Sequence, residues 1–222
     1  MKTGVVTFPG SNCDDDVIDC LQRTGGFEVH PLWHKETGNL GDYRLIVLPG
    51  GFSYGDYLRC GAMAACSPIM TSIKEFADRG GLVIGICNGF QILCESGLLP
   101  GALAKNLSLN FICKDVQLKI ESVNNPWTNQ TVKNQLLSLP VAHGEGRYII
   151  DDQEYETLVS NSQVLMTYQE NPNGSSHHIA GICNKNKNVF GLMPHPERST
   201  DLRSKGGLLI WKSIKSHLGM AS

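Results

Sequence analysis

Leu82-Val83-Ile84-Gly85-Ile86 runs straight into Cys87-Asn88-Gly89 and then into Phe90-Gln91-Ile92-Leu93. A run with no polar alternation has no face to give to water. It therefore reads as a strand buried on both sides, the mark of a parallel sheet covered by helices. Glycines at 85 and 89 permit a tight turn after that strand. The following residues then start a helix, and the tip of the turn carries a cysteine. A nucleophile on such a strand-to-helix elbow stands clear of the sheet. Its thiol lies at a helix N-terminus, where unpaired N–H groups and the helix dipole favour a thiolate.

The rest of the first half repeats this alternation. Residues 4–8, 28–33 and 45–48 read as strands, and 14–23 and 69–79 as helices; Val17, Ile18 and Leu21 form one face of the first helix. The helix after the elbow covers 91–96. Alternation of this kind implies right-handed βαβ units and a doubly wound, mostly parallel α/β sheet. The functional crevice of such sheets lies at the carboxyl ends of the strands, which is where Cys87 falls. The second half differs. Residues 116–123, 148–150, 164–168, 179–183 and 189–193 suggest additional antiparallel strands, 124–133 an exposed polar loop, and 208–218 a closing helix. No linker interrupts the chain, so residues 1–222 are expected to form a single domain.

Composition narrows the function. With 222 residues, 41% of them hydrophobic, the chain can bury a full core. Its net charge of −2, from 19 basic and 21 acidic residues, offers no field for nucleic acid. The acidic block Asp14-Asp15-Asp16 suits the first turn of a helix. The eight cysteines form no CxxC pair and no zinc-like spacing, so no metal site is expected and burial as structural thiols is the expected fate of all but Cys87. No apolar stretch approaches the roughly 20 residues of a membrane span. A reduced, cytoplasmic setting is expected.

Two further segments complement the elbow. In Pro194-His195-Pro196-Glu197-Arg198, the prolines restrict His195 to extended geometry, and Glu197 can accept one ring N–H and set the tautomer. Cysteine, histidine and glutamate are the parts of an activated thiol nucleophile. The segment Leu48-Pro49-Gly50-Gly51-Phe52-Ser53-Tyr54-Gly55-Asp56-Tyr57 ends a strand with bare backbone N–H groups. It lacks the GxxxxGK[ST] pattern of a nucleotide phosphate loop. Beside a nucleophile, the better role for Gly51 N–H is to join Asn88 N–H in an oxyanion hole.

In this order, the glycine-rich loop, the GxCxGxQ elbow and the late His-Pro-Glu resemble the class I, triad-type glutamine amidotransferases. Three further stretches, at 8–14, 50–59 and 142–147, are similar to the glutaminase subunits of phosphoribosylformylglycinamidine synthase. The resemblance implies a flavodoxin-like fold and hydrolysis of glutamine to glutamate and ammonia, with Cys87 as nucleophile, His195 as base and then acid, and Glu197 orienting it. It implies substrate contacts from Gln91 and Phe52. It places His143, Glu145 and Arg147 in the site's surroundings or at an interface. It also implies no cofactor in this chain. ATP and Mg²⁺ would serve a separate PurL-like synthetase subunit, joined by a small PurS-like accessory subunit. Free ammonia becomes ammonium in water, so a site that releases it should deliver it through protein. Three alternatives are weaker. A DJ-1/PfpI-type hydrolase would carry histidine where Asn88 stands. A non-catalytic module would have lost part of the triad. An amidotransferase of another pathway would lack the three special stretches.

Overall fold

The computed structural model describes residues 1–200 and 205–220. The elements follow in chain order. They are β1 (Lys2–Thr7), α1 (Asp14–Thr24), β2 (Glu28–Trp33), β3 (Leu45–Leu48), α2 (Ala62–Ala65), α3 (Pro68–Asp78), β4 (Leu82–Ile86), α4 (Asn88–Glu95), β5 (Ala102–Ala104), β6 (Ile112–Ile120), β7 (Leu136–His143), β8 (Arg147–Ile149), α5 (Asp152–Ser160), β9 (Val164–Tyr168), β10 (Ile179–Cys183), β11 (Val189–Leu192) and α6 (Gly206–His217). Among the described residues, nine strands form one sheet in the order β2-β1-β3-β4-β11-β10-β9-β6-β7. The first five strands in this order pair in parallel, and the four remaining pairings are antiparallel. The expected change of character in the second half is therefore present. All five residues of β4 are buried, as its unbroken apolar run requires.

The elbow depends on the absence of two side chains. A methyl group at Gly85 would lie 2.5 Å from the Gly89 carbonyl oxygen. One at Gly89 would strike the carbonyl of Leu48 on β3. The two glycines thus let α4 descend onto the ends of β3 and β4, directly behind the cysteine.

Two expectations need correction, and two elements need comment. The 124–133 segment is not simply exposed: Trp127 and Thr128 are fully buried. Its polar residues satisfy backbone groups there. Asn125 Oδ1 accepts from Trp127 and Thr128 N–H at 2.9 and 3.1 Å, and Trp127 Nε1 donates to Lys187 O at 2.8 Å. The strand β7 was not read in the sequence at all. Pro140 is tolerated because β7 is an edge strand, with no outer neighbour needing that missing N–H. The expected strand near 148–150 is β8, which pairs antiparallel with β5 outside the main sheet. Nor are the cysteines other than Cys87 uniformly buried: Cys66 and Cys113 are exposed, and Cys60 and Cys94 intermediate. Helix α5 also went unread, because its one buried residue, Leu158, leaves almost no apolar stripe.

Candidate active site

Cys87 sits between β4 and α4 with φ 50° and ψ −104°. A non-glycine residue there is strained and persists only where its surroundings fix it. Here the Cys87 N–H donates to Leu192 O of β11 at 2.8 Å, while α4 begins at Asn88. The thiol is 6% exposed, and its Sγ faces Ala142 O of β7 at a long 3.7 Å.

His195 follows the end of β11, the strand paired in parallel with β4. Its backbone is extended, as the flanking prolines dictate, and its N–H donates to Pro140 O at 2.8 Å. Its ring Nδ1 donates to Glu197 Oε1 at 2.6 Å, with both side chains almost wholly buried. Gly50 makes room for this ring, since a methyl group there would lie 2.8 Å from His195 Cε1. Burial works against the imidazolium. The Glu197 carboxylate and the adjacent Cys87 sulfur outweigh it and push His195 up to about 10. His195 Nε2 has no formed hydrogen bond among the described residues, so the nitrogen is free to trade a proton with the sulfur that bears on it.

The clamp on this pair was not legible in the sequence. Arg198 Nε and Nη2 donate to Asp16 Oδ2 at 3.0 and 2.8 Å, and Nη2 also meets Cys13 Sγ at 3.1 Å. The acidic triplet is the first turn of α1, as expected, and one of its members thereby ties α1 to the His195–Glu197 turn. The donor atoms of Cys13, His195 and Glu197 lie within 4.8 Å of one another. This set does not suit a cation. Burial pushes the Cys13 thiol up to about 12, and the Arg198 guanidinium already occupies its flank.

A cavity of about 240 Å³ opens in front of Cys87. Gly51, Phe52, Gln91, His143 and Glu145 share its wall with the cysteine, so most of the sequence-derived candidates converge there. His195, Glu197, Asn88 and Arg147 do not line it: the buried His195–Glu197 pair lies behind the wall. The Asn88 side chain instead ties the loop to the helix. Its Oδ1 accepts from Ser53 N–H at 3.3 Å, and its Nδ2 donates to Gln91 Oε1 at 2.8 Å. Gln91 Nε2 in turn donates to Glu145 O at 2.6 Å, so this glutamine braces two walls of the cavity. Arg147 belongs to β8 and pairs across to Ala104. Three lining residues were given no role of their own in the sequence reading, Asp56, Cys60 and Phe111. Burial and Glu145 raise Asp56 above the usual carboxylate range, and burial with both carboxylates raises the Cys60 thiol.

Comparison with known proteins shows the family. Residues 1–207 match the family described as the CobB/CobQ-like glutamine amidotransferase domain. The phosphoribosylformylglycinamidine synthase subunit PurQ of Alkaliphilus metalliredigens is 51% identical over 98% of this chain and 97% of its own length. The PurQ subunit of Prochlorococcus marinus is 54% identical over 95% and 96%. Among solved structures, a chain of PurLQS from Thermotoga maritima superposes with TM-score 0.90 at 46% identity, covering 98% of each chain. A putative GMP synthase subunit from Thermoplasma acidophilum, 14% identical over 97% and 92%, shares the fold at TM-score 0.68. The chain belongs to the CobB/CobQ-like glutamine amidotransferase family.

Proposed function

We propose that the chain is the glutaminase subunit of phosphoribosylformylglycinamidine synthase, supplying ammonia for one step of purine biosynthesis. The observation that carries this reading is a cysteine on a strained elbow, facing a cavity and coupled to a buried His195–Glu197 pair. Full-length likeness to PurQ subunits supports the pathway.

The geometry supports the following chemistry. Cys87 passes its proton to His195, and the sulfur attacks the side-chain carbonyl carbon of glutamine. The oxyanion that forms is met by the Gly51 and Asn88 N–H groups, each such donor being typically worth about 10² to 10³ in rate. Glu197 holds Nδ1–H, so Nε2 is the nitrogen that faces the reaction. The His195 imidazolium then protonates the leaving nitrogen, the C–N bond breaks and ammonia departs. Water, activated by the same Nε2, hydrolyses the γ-glutamyl thioester to glutamate and restores the thiol. Phe52 and Gln91 shape the substrate's side of the cavity.

Ammonia needs a protected route to its acceptor. Phe52 and Phe111 at the cavity mouth are 45% and 57% exposed, and Tyr57, Leu58 and Leu109 on the same two segments are more so. Apolar area of this kind around a reactive mouth is a surface for a protein partner. The partner on this reading is a synthetase subunit that uses ATP and Mg²⁺, with a small accessory subunit beside it; the likeness to a chain of PurLQS supports an assembly with a synthetase. No helix among the described residues is long and apolar enough to cross a membrane, which fits action in the cytoplasm.

The test is glutamate release from glutamine by the purified chain, alone and with the synthetase, accessory subunit, ATP and formylglycinamide ribonucleotide. Stimulated release that disappears in Cys87→Ala supports the reading. Release that survives the substitution overturns it.

A further inference from the structure

The cavity wall carries a histidine, His143, whose protonation is fixed by its neighbours. Asn106, fully buried, donates through Nδ2 to Asn110 O and His143 O, both at 2.8 Å. Its Oδ1 accepts from Gly146 N–H at 3.0 Å. The orientation of this amide is therefore determined on both sides: Oδ1 is an acceptor. His143 Nδ1 lies 3.0 Å from that oxygen and must be the protonated nitrogen. Gly146 admits the ring, because any side chain there would run into it. The other nitrogen, Nε2, then carries a bare lone pair. It is buried and has no partner among the described residues, in a side chain only 3% exposed that lines the cavity. Buried acceptors left unfilled are rare and call for an explanation.

We propose that His143 Nε2 is the acceptor for the N–H groups of the glutamine carboxamide, and then of the ammonia formed from it. The proposal rests on the glutaminase reading and extends it. His143 is placed for the reacting end because the carbonyl of its neighbour Ala142 lies 3.7 Å from Cys87 Sγ and its side chain shares the cavity wall with that cysteine. The cavity's other unfilled acceptor, Asp56 Oδ1, is coupled to Glu145 and Cys60. That carboxylate pair suits the cationic α-ammonium of the substrate, whereas a neutral imidazole suits a neutral NH₂. The division of labour follows. His195 gives its Nε2 proton to the leaving nitrogen as the C–N bond breaks. His143 gives none, since its single N–H is committed to Asn106. It holds the nitrogen's hydrogens so that the developing lone pair faces His195, and the product leaves as NH₃ rather than ammonium.

The test compares two substrates in the assembled complex: L-glutamine, and the γ-methyl ester of L-glutamate, whose leaving group has no N–H. His143→Asn keeps a donor toward Asn106 and removes the acceptor at the Nε2 position. It should lower kcat/KM for glutamine by about tenfold or more while changing the ester by less than about threefold. His143→Gln, which can place an amide oxygen near Nε2, should keep the glutamine-to-ester ratio near that of the wild type. Equal losses on both substrates, or no loss on glutamine, overturn the proposal. Should His143→Asn not fold, Cys87→Ala protein decides: the nitrogen NMR resonance of His143 Nε2 should move when glutamine binds, and an unmoved resonance overturns it. A wild-type complex that cleaves the ester but not glutamine would instead refute the glutaminase reading itself.

Discussion

Replacing His143 by asparagine should change how stability depends on pH, by an amount the structure sets. Burial, then the His195 charge, hold the His143 pKa down to about 4, against about 6.5 for an ordinary histidine. On acidification the unfolded chain takes up a proton near 6.5, while the folded protein refuses it until about 4. The folded state therefore keeps its full stability above about pH 6.5 and loses it as the pH falls toward 4. At about 1.4 kcal/mol for each tenfold difference in proton affinity, the loss approaches about 3 kcal/mol. His195 moves the other way and in another window, between about 6.5 and 10, and is present in both proteins. Asp56, raised by burial and Glu145, is also common to both and cancels in the difference. Urea unfolding of wild type and His143→Asn at a series of pH values between about 7.5 and 4 isolates the effect. The stability advantage of the wild type over the variant should shrink by about 3 kcal/mol across that range, or about 6 to 12 °C in melting temperature for a domain of this size. A gap independent of pH would mean that His143 is not held neutral, and would remove the basis for its role as an acceptor.

Three further outcomes follow from the same structure. Cys87→Ser should abolish glutamine-dependent synthesis in the complex but leave synthesis from added ammonia, measured side by side; equal loss of both would contradict the separation of the two sites. Gly89→Ala drives a methyl group into the Leu48 carbonyl, so α4 must shift; glutamate release should fall by about 100-fold with about 1 to 3 kcal/mol of stability, read by kinetics and urea unfolding. Trp127→Ala should cost about 3 to 5 kcal/mol, with little effect on KM for glutamine, because this fully buried ring packs on Phe190 far from the reacting atoms.

The sequence was most legible where chemistry and backbone constrain each other locally. The apolar run of β4, the glycines at 85 and 89 and the start of α4 are consecutive, so the elbow could be read whole. The proline-flanked His195 and its partner two residues on were readable for the same reason. What escaped depends on residues distant in the chain. Arg198 reaches back to Asp16 and Cys13 across more than 180 positions, and no local pattern announces that contact. Asn106 meets His143 from 37 positions away, and the locked tautomer exists only once both loops are folded. Asp56 and Cys60 had no role of their own in the sequence until the fold set them beside Glu145 in one cavity wall. The buried Trp127 segment misled because its asparagines and threonine read as solvated, whereas they bond to backbone groups. The glycine-rich loop was recognised for its N–H groups, but the space it leaves for the His195 ring at Gly50 is a tertiary fact.

The central claim is that Cys87 forms a covalent γ-glutamyl thioester. Acid quenching of the assembled complex during turnover of labelled glutamine, followed by digestion and mass spectrometry, tests it directly. The account predicts a glutamyl adduct confined to the Cys87 peptide and released by hydroxylamine. Label on Cys60 or Cys13, or steady turnover with no adduct on any cysteine, would contradict it.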